Sequence, residues 1–325
     1  MKIVKITLLS ILGIFVLFVA AVYGFLQFYL PHVGPVPQIT VASTPETISR
    51  GDYLVNHVTG CLDCHSGHDD SKFSSPIARG TEGKGGEVFG HEDHVPGTLT
   101  AKNITPYHLK NWTDGELFRT LTTGVNKDGQ PLFPLMPYPH FNQMDPEDIQ
   151  AIIAYIRTLN PITNDPPASK LDPPMNWIVR TIPMKYQPEK RPTMSDSVSY
   201  GKYMVNAASC TDCHTPMDDH GQYIETKSFA GGVEFPVPSG GKCHTANITP
   251  DKETGIGLWT EEMFVKKFRQ YANPDSMAKV EPGKYNTIMP WSFYGGMKEE
   301  DLRTIYQYLQ SLPPIHNQVD KFVAN

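Results

Sequence analysis

The sequence predicts a mainly α-helical protein: one N-terminal transmembrane helix followed by two copies of a small helical domain. Three observations carry this prediction. From Ile6 to Leu30 there is no charged residue, and only Thr7, Ser10 and Gln27 are clearly polar, enough apolar chain to cross roughly 30 Å of hydrocarbon. A set of short motifs runs in one order after Gly51 and returns in the same order after Gly201, as a duplicated unit does. Each copy also ends in an apolar stripe at helical spacing, Ile149, Ile152, Ile153, Ile156 and Leu159 in the first and Leu302, Ile305, Tyr306, Leu309 and Leu312 in the second.

Taken in chain order, residues 1–30 read as an uncleaved anchor. A signal peptide would have a shorter apolar core of roughly 7 to 15 residues and a small-residue cleavage site, for which Ala20 and Ala21 offer the nearest candidates. Here the run continues into Phe25, Phe28 and Tyr29, an aromatic cluster of the kind found at a membrane interface. Lys2 and Lys5 precede the run, so the positive-inside rule puts the chain beyond Pro31 outside the cytoplasmic membrane. Residues 31–47, with Pro31, Pro35, Pro37 and Pro45, are expected to be a semi-rigid spacer.

Domain 1 is expected over 48–160 and domain 2 over 197–325. Gly51-Asp52-Tyr53-Leu54-Val55-Asn56 matches Gly201-Lys202-Tyr203-Met204-Val205-Asn206, Asn103-Ile104-Thr105-Pro106 matches Asn247-Ile248-Thr249-Pro250, and Met136-Pro137-Tyr138 matches Met289-Pro290-Trp291. Trp112-Thr113 with Glu116-Leu117-Phe118 matches Trp259-Thr260 with Glu262-Met263-Phe264. Thr113 and Glu116 form a capping box, predicting a helix that runs toward Gly124. Asp145-Pro146 opens the last helix of the first copy with an acceptor cap and a proline in its first turn. The linker, 161–196, is rich in proline and polar residues. It is too long for a turn, and is expected to lie ordered across both domains.

Composition narrows the function classes. With 325 residues and 39% hydrophobic content the chain can build two cores, while 29 prolines and 26 glycines favour loop-rich domains. A net charge of −6 argues against nucleic acid or anionic membrane surfaces as partners. No Walker A motif and no G-x-G-x-x-G in a strand-to-helix setting is present.

The chemistry lies in a five-residue device that occurs twice, Cys61-Leu62-Asp63-Cys64-His65 and Cys210-Thr211-Asp212-Cys213-His214. C-x-x-C-H is the attachment signature of c-type haem. Two thiols three positions apart can add to the two vinyl groups of one porphyrin, and the following histidine then ligates the iron. A structural zinc site or a thioredoxin-like redox pair would use paired cysteines, but neither explains a histidine after the second cysteine in both copies. Two covalently bound haem c groups are therefore expected, on Cys61 and Cys64 with His65, and on Cys210 and Cys213 with His214. Of five cysteines this leaves Cys243, a buried small hydrophobe or, alternatively, a thiolate ligand.

A sixth iron ligand should come from a later loop fixed by proline and aromatics. Met136 and Met289 meet this in parallel positions, and a thioether ligand raises the potential. Met144 and Met297 lie nearer the final helices and lack the Met-Pro setting. His140 or His68 are alternatives to methionine, and His91 with His94 a candidate adventitious metal pair.

The C-x-x-C-H helix, Asn-Ile-Thr-Pro, Thr254-Gly255-Ile256-Gly257 leading into Trp259-Thr260, and Met-Pro before a final helix together resemble the cytochrome c subunits of membrane-bound alcohol, aldehyde and gluconate dehydrogenases, over about residues 48 to 325. The resemblance implies tandem class I cytochrome c domains with covalent haem, His/Met ligation and periplasmic electron transfer. This chain has two haem motifs where the best-known members have three. The expected function is a membrane-anchored dihaem carrier of single electrons at the inner membrane, with no catalytic residues of its own. Its donor and acceptor would be redox proteins: a dehydrogenase, a quinol-oxidising complex or a terminal oxidase. The alternative is a dihaem enzyme of peroxidase or thiosulfate-oxidising type, with one haem not ligated by methionine.

Overall fold

A computed structural model describes residues 2–218 and 221–324, without the side chain of Lys2. It is mostly helical. Helix α1 (Lys2–Gly24) continues through a π-helical turn, Phe25–Tyr29. Among the described residues the stretch Ile3–Tyr29 is the one helix long and apolar enough to cross a membrane, and it is not buried against the rest of the chain. At 1.5 Å per helical residue its length matches a bilayer core with some tilt.

The helices α2 (Pro45–His57), α3 (Cys61–Cys64), α4 (Pro106–Leu109), α5 (Asp114–Thr123), α6 (Tyr138–Phe141) and α7 (Pro146–Ile156) form one cluster. After the short α8 (Met175–Ile178), the helices α9 (Ser197–Ala207), α10 (Cys210–His214), α11 (Glu261–Arg269), α12 (Trp291–Tyr294) and α13 (Glu299–Ser311) form another. In the first cluster α2 packs on α7, and in the second α9 packs on α13. Both crossings use the repeated Gly-x-Tyr. A Cβ at Gly51 would lie 1.9 Å from the Ala151 carbonyl oxygen, and one at Gly201 would lie 2.0 Å from that of Thr304. Only a residue without a side chain lets the backbones meet this closely. Around these contacts Leu54, Val55, Ile149, Ile152 and Ile153, then Met204 and Leu302, are fully buried in one continuous apolar core.

Helix signals read from the sequence stand where expected. Thr113 and Glu116 cap α5 reciprocally, and the helix ends at Thr123 with Gly124 in the left-handed region. Asp145 caps α7 by accepting from the Glu147 amide. Two small antiparallel sheets were not anticipated, because their strands are too short to show a period of two. Strand β2 (Gly97–Thr100) pairs with β1 (Val88–Phe89) and with β3 (Lys170–Leu171), so the linker closes the first sheet. Strand β5 (Lys242–His244) pairs with β4 (Glu234–Pro236) and β6 (Phe322–Val323).

The segment 31–47 is not a free spacer. Helix α2 begins within it at Pro45, and the preceding chain lies along α5. There Val41 donates its amide to Asp114 (2.8 Å), and the Pro37 carbonyl sits where a Cβ of Gly115 would be. Four prolines shape an extended strip that can follow a helix surface without needing its own hydrogen bonds. The linker is likewise tied down: the Glu189 amide bonds the Gln143 carbonyl, Arg191 meets Asp148, and Tyr186 donates to the Met144 carbonyl.

The two clusters are locked by an exchange of tyrosines. Tyr203 of α9 donates to Asp148 of α7 (2.7 Å) and accepts from the Asp145 amide (3.2 Å). Tyr53 of α2 donates to Asp301 of α13 and accepts from the Lys298 amide (3.2 Å). Each cluster therefore caps the last helix of the other. The two carboxylates differ in surroundings. Burial alone would raise Asp148, but Arg50, Tyr203 and Arg191 outweigh it and hold the group below the usual range. Asp301 is raised by its burial, which hydrogen bonds from Tyr53 and Tyr200 only partly offset.

Candidate haem-binding site

Each C-x-x-C-H begins one helical turn, after a left-handed residue: Gly60 (φ +66°) before α3 and Ser209 (φ +52°) before α10. On one turn, positions i and i+3 share a face, so Cys61 and Cys64 present their thiols together, as do Cys210 and Cys213. Burial pushes these thiols up, Cys61 to about 11, Cys210 and Cys213 to about 12 and Cys64 further still. They are neutral S–H groups at neutral pH. A redox C-x-x-C has its attacking cysteine lowered, the opposite direction to these four.

The histidines are held in matching ways. His65 Nδ1 faces the Lys102 carbonyl at 2.6 Å, and His214 Nδ1 faces the Ala246 carbonyl at 2.7 Å. A carbonyl only accepts, so Nδ1 carries the hydrogen in both rings and Nε2 keeps its lone pair. Burial lowers both histidines below their ordinary value, which keeps the imidazoles neutral and able to bind a metal.

Asn-Ile-Thr-Pro is what aims these carbonyls, since Lys102 and Ala246 immediately precede Asn103 and Asn247. In the first copy Asn103 Oδ1 accepts from the amide and hydroxyl of Thr105 (2.9 and 2.7 Å), and Asn103 Nδ2 donates to the Ile162 carbonyl (2.8 Å). In the second, Asn247 does the same with Thr249 (3.0 and 2.8 Å) and Ile315 (2.8 Å). All four side chains are buried. Reading the sequence found this motif but not its role.

A second pair was missed altogether. Gly85 (φ +68°) and Gly231 (φ +70°) each donate their amide, at 2.8 Å, to the carbonyl of His65 and of His214. A Cβ on either would meet the loop opposite within 2.4–2.5 Å, so left-handed glycine is required at both. The signal was present as Gly85-Gly86 and Gly231-Gly232, in matching places between motif and Asn-Ile-Thr-Pro.

Met136 and Met289 occupy equivalent places, each with its carbonyl accepting from the amide two residues on, Tyr138 (2.7 Å) and Trp291 (2.8 Å). Both are half-buried, whereas Met144 and Met297 are sealed in the core at 0% and 2% exposure. The second loop is supported from the other cluster. Ser74 donates to the Met289 carbonyl (2.6 Å), accepts from the Trp291 amide (2.9 Å), and bonds Asn286 Oδ1 through its own amide (2.8 Å).

The alternative histidine ligands are otherwise engaged. His140 uses Nδ1 on Asn206 (2.8 Å) and Nε2 on Asp212 (2.6 Å). His68 lies between Asp63 and Glu87, which overcome its burial and raise it to about 10, so it is protonated. Among the described residues no three His, Cys, Asp or Glu side chains converge as metal ligands do. His91 pairs with Asp172, and His94 with the Glu234 carbonyl. Cys243 lies buried in β5 between β4 and β6, its thiol against the Ile288 amide and raised by burial.

The half-buried Tyr294 donates to the Ala208 carbonyl (2.8 Å), next to the second motif. Helix α6, after Met136, docks through His140 on the second motif. Helix α12, after Met289, docks through the Phe293 carbonyl on His57 (3.2 Å).

Two neutral thiols on one face, an adjacent imidazole with a free Nε2, and a later Met-Pro loop are the kinds of group a c-type cytochrome uses to hold haem. The chain is similar over most of its length to cytochrome c proteins of this kind, at 24–29% identity. Among these relatives are the cytochrome c subunit of a quinone-dependent alcohol dehydrogenase from Gluconobacter oxydans, 28% identical over 82% of this chain and 55% of its own length, and the cytochrome c subunit of gluconate 2-dehydrogenase from Pantoea cypripedii, 24% identical over 82% and 59%. A dihaem cytochrome of c type from Cereibacter sphaeroides is 25% identical over 86% of this chain and 90% of its own. The chain thus spans just over half the length of the dehydrogenase subunits. No protein-family model matches it.

The residues fit haem c. Besides the donor set, Ser209 Oγ, beside Cys210, and Tyr138 Oη, two residues after Met136, are buried polar atoms without a hydrogen-bond partner. Such atoms call for a polar group to bind.

Proposed function

We propose that the protein is a membrane-anchored dihaem c-type cytochrome that carries single electrons between a dehydrogenase or quinol donor in the membrane and a downstream acceptor. Its two class I domains would cover 48–160 and 197–325 on the periplasmic side of the inner membrane. The observation that carries this reading is the duplicated imidazole geometry, His65 on Lys102 and His214 on Ala246, beside paired neutral thiols. Cys61 and Cys64 would hold one haem by thioethers and Cys210 and Cys213 the other. His65 with Met136, and His214 with Met289, would complete the iron ligation. Bound haem supplies a one-electron centre. The chain fixes the histidines through Asn103 and Asn247 and would shield the rings with its apolar core. Cys243, neutral and confined to a strand, supports the carrier over an enzyme with a thiolate-ligated haem.

Ligation is tested by replacement. Met136→His or Met289→His should keep the affected haem low-spin and lower its potential by a sizeable part of the roughly 0.8 V span that axial ligands command. Redox titration followed at the α band would read this. An unchanged titration in Met289→His would refute Met289 as ligand.

Anchoring is tested by extraction. The protein should stay with membranes through carbonate and high-salt washes, because Ile3–Tyr29 buries only in lipid. A mature N-terminus found near Phe25 would show a cleaved signal instead.

A further inference from the structure

We propose that residues 175–184 form a second membrane contact, seated in the interfacial layer of the bilayer that α1 crosses. The proposal rests on reading α1 as an uncleaved anchor. Its first support is a direct tie between this segment and the end of α1. Arg180 donates through Nε to the Leu26 carbonyl (2.8 Å) and through Nη2 to the Gln27 carbonyl (3.0 Å), with Nη1 on Gln130 (3.1 Å). The last carbonyls of a helix have no partner within it and carry partial negative charge, so a guanidinium there is doubly favoured. The tie holds 175–184 level with Phe25, Phe28 and Tyr29, the aromatic end of α1.

The second support is what the segment exposes. Trp177 and Ile178 are 49% and 44% exposed and Met184 is 37% exposed, while Val179 is buried and pins the turn to the protein. Exposed apolar side chains this close together mark a contact surface. Their chemistry selects lipid over water-soluble partners. Tryptophan is enriched where an apolar body and an N–H must meet both acyl chains and headgroups. From Pro173 to Pro188 there is no acidic residue, and the exposed Lys185 supplies a cation for phosphate. Continuity with α1 names the occupant, a phospholipid bilayer. The contact would stop the two haem-binding clusters from swinging freely about one helix.

The test uses the full-length holoprotein in phosphatidylcholine vesicles that contain a phospholipid with a diazirine near its glycerol backbone. After illumination, labelled peptides are mapped by mass spectrometry. Label is expected on 3–29 and on 175–184, with Trp177 and Met184 prominent. A Trp177→Ser, Ile178→Ser double variant should lose the label on 175–184, keep that on α1 and keep its visible spectrum. Label on α1 with none on 175–184 would overturn the proposal in favour of a protein-facing surface, and leave the anchor reading intact. Absence of label from both, in protein that carbonate extracts, would overturn the anchor reading and this proposal with it.

Discussion

Replacing Cys210 and Cys213 together with serine should yield a protein with half the covalent haem of the parent, read as pyridine haemochrome per mole of protein after acid-acetone extraction. The effect is all-or-none because the thioethers are the only bonds that survive denaturation; His214 alone would hold haem reversibly. The same pair of changes at Cys61 and Cys64 should leave the other half. Loss of all haem from the unaltered protein on extraction would end the c-type reading. The Met289 loop is hydrogen-bonded to Ser74 of the first cluster and His140, after Met136, to Asp212 of the second motif, so disrupting either site should also disturb the spectrum of the other.

The exchange of tyrosines supplies the second large effect. Asp148→Asn should lower stability by about 3–5 kcal/mol, the cost of breaking a buried charged pair, because Arg50 and Arg191 would remain against it with no counter-charge. Asp301→Asn should change stability by no more than about 1 kcal/mol, since its carboxylate is already disfavoured by burial. The pH dependences oppose each other. Asp148 is lowered in the fold, so its contribution is present above the unfolded value of about 3.9 and is lost as pH falls through its folded value. Asp301 is raised, so its contribution is full below that unfolded value and is lost as pH rises through its folded one. Thermal unfolding of the two variants in detergent, at neutral pH and near pH 4, checks both. Equal destabilisation by the two at neutral pH would contradict this assignment of the two carboxylates.

Much of the site was legible because its chemistry is local. C-x-x-C-H fixes two thiols and an imidazole within one helical turn, whatever surrounds them. The capping box at Thr113 and Glu116 and the Asp145-Pro146 start are likewise local, and both helices begin as read. Repetition marks Met136 and Met289, among twelve methionines, as the proposed sixth ligands, although no single methionine carries a distinguishing signal.

Sequence by itself determined the apolar helix, the helical character of both halves, the two motifs and the likeness to cytochrome c subunits, because periodicity, capping and covalent spacing act over a few residues. Tertiary structure decided the rest. The carbonyls of Lys102 and Ala246 reach the histidines from 37 and 32 residues away, at distances where chain pattern carries no orientation. Segment 31–47 became a strip along α5, and Ser74 became part of the second methionine loop, because the clusters pack against each other. Each cluster is built on Gly51 or Gly201, where two of its helix backbones meet with no room for a side chain, and the two clusters are joined by tyrosines exchanged between the halves. Such contacts depend on which surfaces burial brings together, and no local rule encodes that choice.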